Sequence, residues 1–208
     1  MRTFDELLAD ASAMHRGRLC PGQVLGVRMA MFACQLLGID EPIRDKHLIV
    51  YVEIDRCMTD AIAAVTGCRL GKRTLKHIDY GKCACTFVNV ITSRAFRIVA
   101  RDDAREHVWD YVSSRLNKDE AQCEAYKIMP NERLFSIQEV KVNIPEHDQP
   151  GPPINRVICS ICGEGINDRR EVHANGQVLC RACDQGAYYE KIEKPGYHIS
   201  KKLCSLTS

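Results

Sequence analysis

Two cysteine pairs, Cys159-x-x-Cys162 and Cys180-x-x-Cys183, stand 17 residues apart near the C-terminal end of the chain. Each pair makes a tight knuckle whose backbone turns two thiolates toward one point. Two knuckles complete the tetrahedral shell that zinc accepts. Gly163 and Gly165 follow the first knuckle, where a chain turning around a metal often needs a positive φ. Val172, Val178 and Leu179 supply a small hairpin around Asn175-Gly176, a favoured two-residue turn. Iron–sulfur clusters use the same ligand atoms, but two symmetric pairs without extra cysteines fit zinc better. A shell closed by four thiolates has no open position, so this metal is expected to be structural.

A second constellation lies in the first third of the chain. Cys20 precedes a long apolar segment and Cys57 follows an apolar run, so both are placed at helix starts. The positive end of a helix lowers a thiol's pKa and makes it a better ligand or nucleophile. His15 ends the preceding helical segment and can turn back toward Cys20. With Cys57 these residues are expected to meet at one site and hold zinc or another transition metal, with one position open for a small ligand; the alternative for the cysteines is a place as small core residues. Asp55 and Asp60 flank Cys57, and Cys68 follows the next helical stretch as a further candidate. Lys72, Arg73 and Lys82 offer positive charge to an anionic ligand such as a phosphate or carboxylate; a solvated loop explains them nearly as well. Cys34, Cys83, Cys85, Cys123 and Cys204 read as small core residues.

Twelve cysteines in 208 residues are many, and in a reducing compartment clusters of them read as metal ligands before disulfides. The N-terminal stretch carries Asp5, Glu6 and Asp10, which does not suit a signal peptide. No apolar run reaches the roughly 18 residues of a membrane span. A cytoplasmic location is the expectation. The net charge of +2 argues against nucleic acid as a partner. From Arg156 onward eight Lys or Arg face six Asp or Glu, so that segment has no strong positive field either.

The positioning elements follow from periodicity. Thr3 caps a helix to about Met14, with Glu6 completing a capping box. An apolar helix runs from Gln23 to a Gly38 cap. Leu48–Ile54 reads as a buried strand and Met58–Val65 as a short helix. Ala84–Thr92 and Ala95–Ala100 make a hairpin through Thr92-Ser93-Arg94. Helices are expected over Asp102–Leu116 and Asp119–Met129, and a last strand over Phe135–Ile144. The fold class is α+β, a mixed sheet flanked by helices, with a small four-cysteine zinc ribbon. Domain boundaries are expected at 1–144, a linker with four prolines over 145–156, and 157–208 for the ribbon and its Lys-containing tail.

Several separated motifs occur in order: His15-x-Gly17…Cys20-Pro21-Gly22-x-x-x-Gly26-x-Arg28, Val52-Glu53…Asp55-x-Cys57-x-x-Asp60-Ala61-Ile62, Thr66-Gly67-Cys68…Gly71-Lys72-Arg73-Thr74-Leu75 and Asp79-Tyr80-Gly81-Lys82. Over roughly residues 3–115 the chain resembles the FmdE family, named for the E component of formylmethanofuran dehydrogenase. Where that family's pattern often has a second histidine in the first loop, this chain has Arg18 or Leu19. The resemblance implies an α+β domain, a homodimer, a metal near the His15–Cys20 loop, and an accessory role beside a molybdenum or tungsten enzyme of anaerobic one-carbon or redox metabolism. Members often carry a C-terminal zinc ribbon. Two other classes stay open. One is an enzyme, in which an open metal position activates water with Asp60 or Asp55 as base, or Cys20 acts as a thiolate nucleophile. The other is a ribbon adaptor or regulator.

Overall fold

The structure, a computed structural model, describes residues 2–192. Cys204 and the tail beyond residue 192 lie outside the described residues. Two compact units are present, Met1–Pro152 and Pro153–Ser208.

The larger unit is built on α1 (Phe4–Ala13), α2 (Pro21–Leu37), β1 (Leu48–Val52), α3 (Cys57–Thr66), β2 (Leu75–His77), β3 (Ala84–Asn89), β4 (Ala95–Ala100), α4 (Lys118–Ile128), α5 (Asn131–Leu134) and β5 (Phe135–Glu139). The sheet order is β2-β1-β3-β4-β5, with β1 and β2 parallel and the other neighbours antiparallel. It is the expected α+β mixed sheet. Leu48, Val50 and Val52 point to one face, where Phe87, Phe96 and Ile98 join them under α1, α2, α3 and α4. Ile49, Val88 and Ala95 point to the other. Both faces of β1 are therefore covered, which is why its sequence is apolar throughout rather than alternating.

The capping box at α1 is formed: the Glu6 backbone N–H donates to Thr3 Oγ1 at 3.3 Å, and the Thr3 N–H donates to Glu6 Oε2 at 2.9 Å. Helix α2 starts at Pro21, two residues before the expected Gln23, because proline at the first helical position costs no hydrogen bond. The tightest contact in this unit is between α2 and α3. A Cβ at Gly26 would stand 2.5 Å from the Met58 carbonyl oxygen and 2.8 Å from the Ala61 Cβ. Only glycine permits this crossing.

Two expectations are corrected. Asp102–Leu116 is not one helix; it holds two short 3-10 turns, Asp102–Arg105 and Val108–Asp110. Arg101 grips Asp103 and His107 binds Asp110 at 3.0 Å, local pairings that suit tight turns and leave both starts without a side-chain cap. The last strand ends at Glu139 rather than Ile144. Its alternation continues because Val140, Val142 and Ile144 pack onto Ile49, Val88 and Ala95. The chain here crosses the sheet as a strap, and its period of two records contact with a sheet face rather than membership of the ladder.

The strap is fastened at the far edge. Lys76 Nζ is 2.9 Å from Asp148 Oδ1 and also donates to the Asp148 carbonyl, while Arg73 donates to the His147 carbonyl. Glu146–Asp148 thus form a held 3-10 turn at the start of the proline-rich stretch. Burial raises the Asp148 pKa, but Lys76 and Arg73 outweigh it, and the net shift is downward. An aspartate depressed in the folded state contributes stability above its unfolded value of about 3.9, and that contribution disappears as pH falls through the lower, folded value.

Limited proteolysis at neutral pH is expected to cut within residues 149–153. Asp148→Asn, which mimics the acid form, should extend cleavage upstream to the Glu146 region; an unchanged cut pattern would show that the fastening does not protect the strap. Gly26→Ala should destabilise the larger unit by about 1–3 kcal/mol in denaturant unfolding, because the opposing atoms are Met58 backbone and the Ala61 Cβ, none of which can swing aside.

Candidate metal centre

The smaller unit consists of two short hairpins, β6 (Arg156–Ile158) with β7 (Gly165–Asn167) and β8 (Val172–Ala174) with β9 (Gln177–Leu179), followed by α6 (Arg181–Gln185). Asn175 and Gly176 turn the second hairpin with φ of 50° and 73°, the left-handed pair that an Asn-Gly turn adopts. Cys159 and Cys162 sit in the first hairpin's turn; Cys180 is the N-cap of α6 and Cys183 lies in its first turn.

The four sulfurs lie within 4.8 Å of one another, and among the described residues they are the group of metal-type ligands brought together in this way. Cys162 Sγ and Cys180 Sγ are 3.9 Å apart. Four sulfurs at about 2.3 Å from a tetrahedral ion stand about 3.8 Å from each other. The donor set therefore fits one metal ion. Backbone amides are already aimed at the sulfurs: Cys180 N–H donates to Cys159 Sγ at 3.3 Å and Cys183 N–H to Cys180 Sγ at 3.4 Å. The N–H groups of Cys162 and then Cys180 hold the Cys159 thiol down at about 6. Cys183 is pushed up to about 12, first by its bond to the Cys180 side chain. Four adjacent thiols cannot all ionise against one another; a divalent cation removes that conflict, and its binding displaces their protons. Among the described residues, the apolar cluster beneath the sulfurs is small, with Cys159, Ile166 and Leu179 buried in it.

The N-terminal candidates are placed differently. Cys20 is the N-cap of α2 and Cys57 the first residue of α3, so both stand at helix N-termini. Gly22 separates them: a Cβ there would lie 3.6 Å from Cys57 Cβ and 3.9 Å from Cys20 Sγ. Burial and then the Cys20 thiol raise the pKa of Cys57. His15 reaches the same helix start, but its Nε2 is 3.0 Å from Asp60 Oδ2, one turn along α3 from Cys57. His15, Cys20 and Cys57 thus share a neighbourhood without converging on one point as the ribbon sulfurs do.

A cleft of 210 Å³ opens beside them at the carboxyl ends of β1 and β2, with Ile54, Asp55, Thr59, Asp60, Leu75 and His77 among its walls. The β1–α3–β2 crossover places it where parallel units bind ligands. Lys72, Arg73 and Lys82 do not line it. Lys72 is exposed, Arg73 is engaged by the strap, and Lys82 lies 5.8 Å from the Tyr80 ring centre. Cys34, Cys68, Cys85 and Cys123 are buried in the main core.

Sequence reasoning missed Gln23. It is fully buried; its Oε1 accepts from Cys20 N–H at 3.0 Å and its Nε2 donates to the Ala11 carbonyl at 3.0 Å. It ties α1 to the Cys20 turn. A glutamine in the first turn of an apolar helix, three residues after Cys20, was the available signal. Arg28 closes the first motif, and its structural role was equally hidden: its guanidinium donates to the carbonyls of Tyr126, Lys127 and Met129 and closes the end of α4. Glu53 and Arg97 form a two-pronged ion pair, 2.7 Å on each side.

Residues 15–143 match the family model described as FmdE, molybdenum formylmethanofuran dehydrogenase operon. A curated protein of Archaeoglobus fulgidus, named "Probable S-adenosyl-L-methionine-binding protein", is 39% identical over 85 residues. That stretch is 39% of this chain and 23% of the relative, so the chain spans about a quarter of that protein's length. The fold is similar to the crystal structure of a tungsten formylmethanofuran dehydrogenase FmdE-like protein from Syntrophus aciditrophicus, with a TM-score of 0.60, 18% identity, and coverage of 91% of this chain and 96% of that one. No helix among the described residues is long and apolar enough to cross a membrane.

Cys159→Ser, or removal of the metal by a chelator, should unfold the smaller unit and leave the larger one folded, since the small core beneath the sulfurs cannot replace the metal's contribution. Far-UV dichroism with proteolytic mapping checks this. Undiminished protease resistance beyond residue 155 after chelation would rule the structural role out.

Proposed function

The chain belongs to the FmdE family, and from that premise we propose that it is a metal-binding accessory protein of anaerobic one-carbon or redox metabolism. The ribbon's ion is zinc and its role is structural. Cys159, Cys162, Cys180 and Cys183 close the shell and leave no position for a substrate. The ion when bound supplies folding energy to a unit whose described core is small.

The larger unit carries the functional site. His15, Cys20 and Cys57 hold a second transition metal, with the neighbouring cleft receiving a small ligand. The observation that carries this reading is the meeting of two helix N-termini, each opening on a cysteine, beside a histidine. Helix N-termini favour thiolate, and thiolate with neutral imidazole is a zinc-type donor set. Asp60 holds the His15 ring through Nε2, as carboxylates do for metal-binding histidines, and leaves Nδ1 as the ligating atom. Lys72 and Lys82 remain available to guide an anionic ligand toward this end of the sheet, while Arg73 is committed to the strap.

The protein acts as a homodimer in the cytoplasm, alongside a molybdenum- or tungsten-dependent enzyme. The near-neutral charge gives no support to nucleic acid as a partner. A second reading, binding of an adenosylmethionine-type ligand, is favoured by the name of the Archaeoglobus relative together with the cleft at the β1–β2 carboxyl ends. Calorimetric titration with S-adenosylmethionine separates the two.

Metal analysis of protein purified without oxygen should find two metal ions per chain. Cys20→Ser, Cys57→Ser and His15→Ala should each reduce this to one, while Cys123→Ser should not. One ion per chain in the unaltered protein would confine metal to the ribbon.

A further inference from the structure

Seven cysteines lie in the larger unit, and access divides them. Cys34, Cys68, Cys85 and Cys123 are buried, and burial pushes Cys34 up to about 12 and Cys123 up to about 11. Cys20, Cys57 and Cys83 are half-exposed. Of these three, Cys20 and Cys57 adjoin each other across Gly22, where a Cβ would lie 3.9 Å from Cys20 Sγ and 3.6 Å from Cys57 Cβ. They come from segments 37 residues apart in the chain, so their meeting is a product of the α2–α3 crossing. Each sits at a helix N-terminus, Cys20 as the N-cap of α2 and Cys57 as the first residue of α3. Glycine between them leaves no side chain to keep the sulfurs apart.

We propose that Cys20 and Cys57 are a redox modification site, forming a reversible disulfide when the protein meets a hydroperoxide. One thiolate attacks the peroxide, the O–O bond breaks, and the products are a sulfenic acid and water or an alcohol. The second thiol attacks the sulfenic sulfur, the S–S bond forms, and the S–O bond breaks with loss of water. In sum two thiols lose two electrons and two protons to one hydroperoxide, which is reduced to an alcohol (or water) plus water. A small-molecule dithiol reverses the bridge by exchange. The disulfide itself depends only on the thiol pair. Its consequence rests on the function proposed above: the bridge uses both sulfur donors of the second metal site, so oxidation and metal occupancy exclude each other. Oxidation would then empty that site while the closed ribbon keeps its ion.

The test uses the full reduced chain, treated with a few equivalents of hydrogen peroxide, alkylated and digested with trypsin without reduction. Mass spectrometry should find peptide 19–28 joined to peptide 57–69, with fragment ions placing the bridge at Cys57 rather than Cys68. This crosslink should exceed any other pairing in the larger unit about tenfold and vanish with dithiothreitol. Cys57→Ser should leave Cys20 unbridged and carried on to the sulfinic acid. Recovery of Cys20 and Cys57 as alkylated thiols while other cysteines oxidise would overturn the proposal, as would equal bridging of Cys20 in Cys57→Ser. Zinc added beforehand should slow the crosslink. If zinc has no effect while the crosslink forms, the disulfide stands and the second metal site falls.

Discussion

The larger unit depends on how closely α2 and α3 approach at Gly26. With a backbone carbonyl where a Cβ would be, the two helices pack main chain against main chain. That contact brings Cys20 and Cys57 to one place and sets the position of Asp60, hence the partner of His15. Any larger residue would separate the helix starts and dissolve the neighbourhood. Gln23 secures the same region from inside by joining the α1 carbonyl end to the Cys20 turn. A buried amide with both ends satisfied serves here as a rigid spacer.

The sheet is covered on both faces by different means. Helices cover one face through a broad apolar core. The strap covers the other with three aliphatic side chains and is closed by Lys76 and Arg73 on the 147–148 backbone and the Asp148 carboxylate. Charged closure at a half-buried edge is worth more than at an open surface, because solvent screens it less. The result uses Arg73 for architecture, which removes it from the ligand-binding set its charge suggested.

The two cysteine assemblies show two ways of tuning sulfur. In the ribbon, amide N–H groups from tight turns reach the sulfurs and favour thiolate in the absence of any large core. In the larger unit, half-burial raises Cys57 against the field of its helix. The first arrangement brings four sulfurs together as a donor set for one metal ion.

Local chemistry was legible in the amino-acid sequence. Cys-x-x-Cys knuckles, the Thr3–Glu6 capping box, the Asn175-Gly176 turn and the cysteines at two helix starts each depend on residues a few positions apart, and all of them appear in the structure. The α+β class followed from periodicity for the same reason. What spans long separations was decided by tertiary packing. The three-residue β2 is too short to announce itself, and the segment from Asp102 to Leu116 carries a helical pattern that its local ion pairs divide into turns. Alternation from Val140 to Ile144 looks the same whether a segment lies beside a sheet or across it, since both present every second side chain to the same surface. The pairing of His15 with Asp60, and of Arg73 with the strap, joins residues 45 and more positions apart. A sequence states that such groups exist; only the packed chain decides which charge each of them meets.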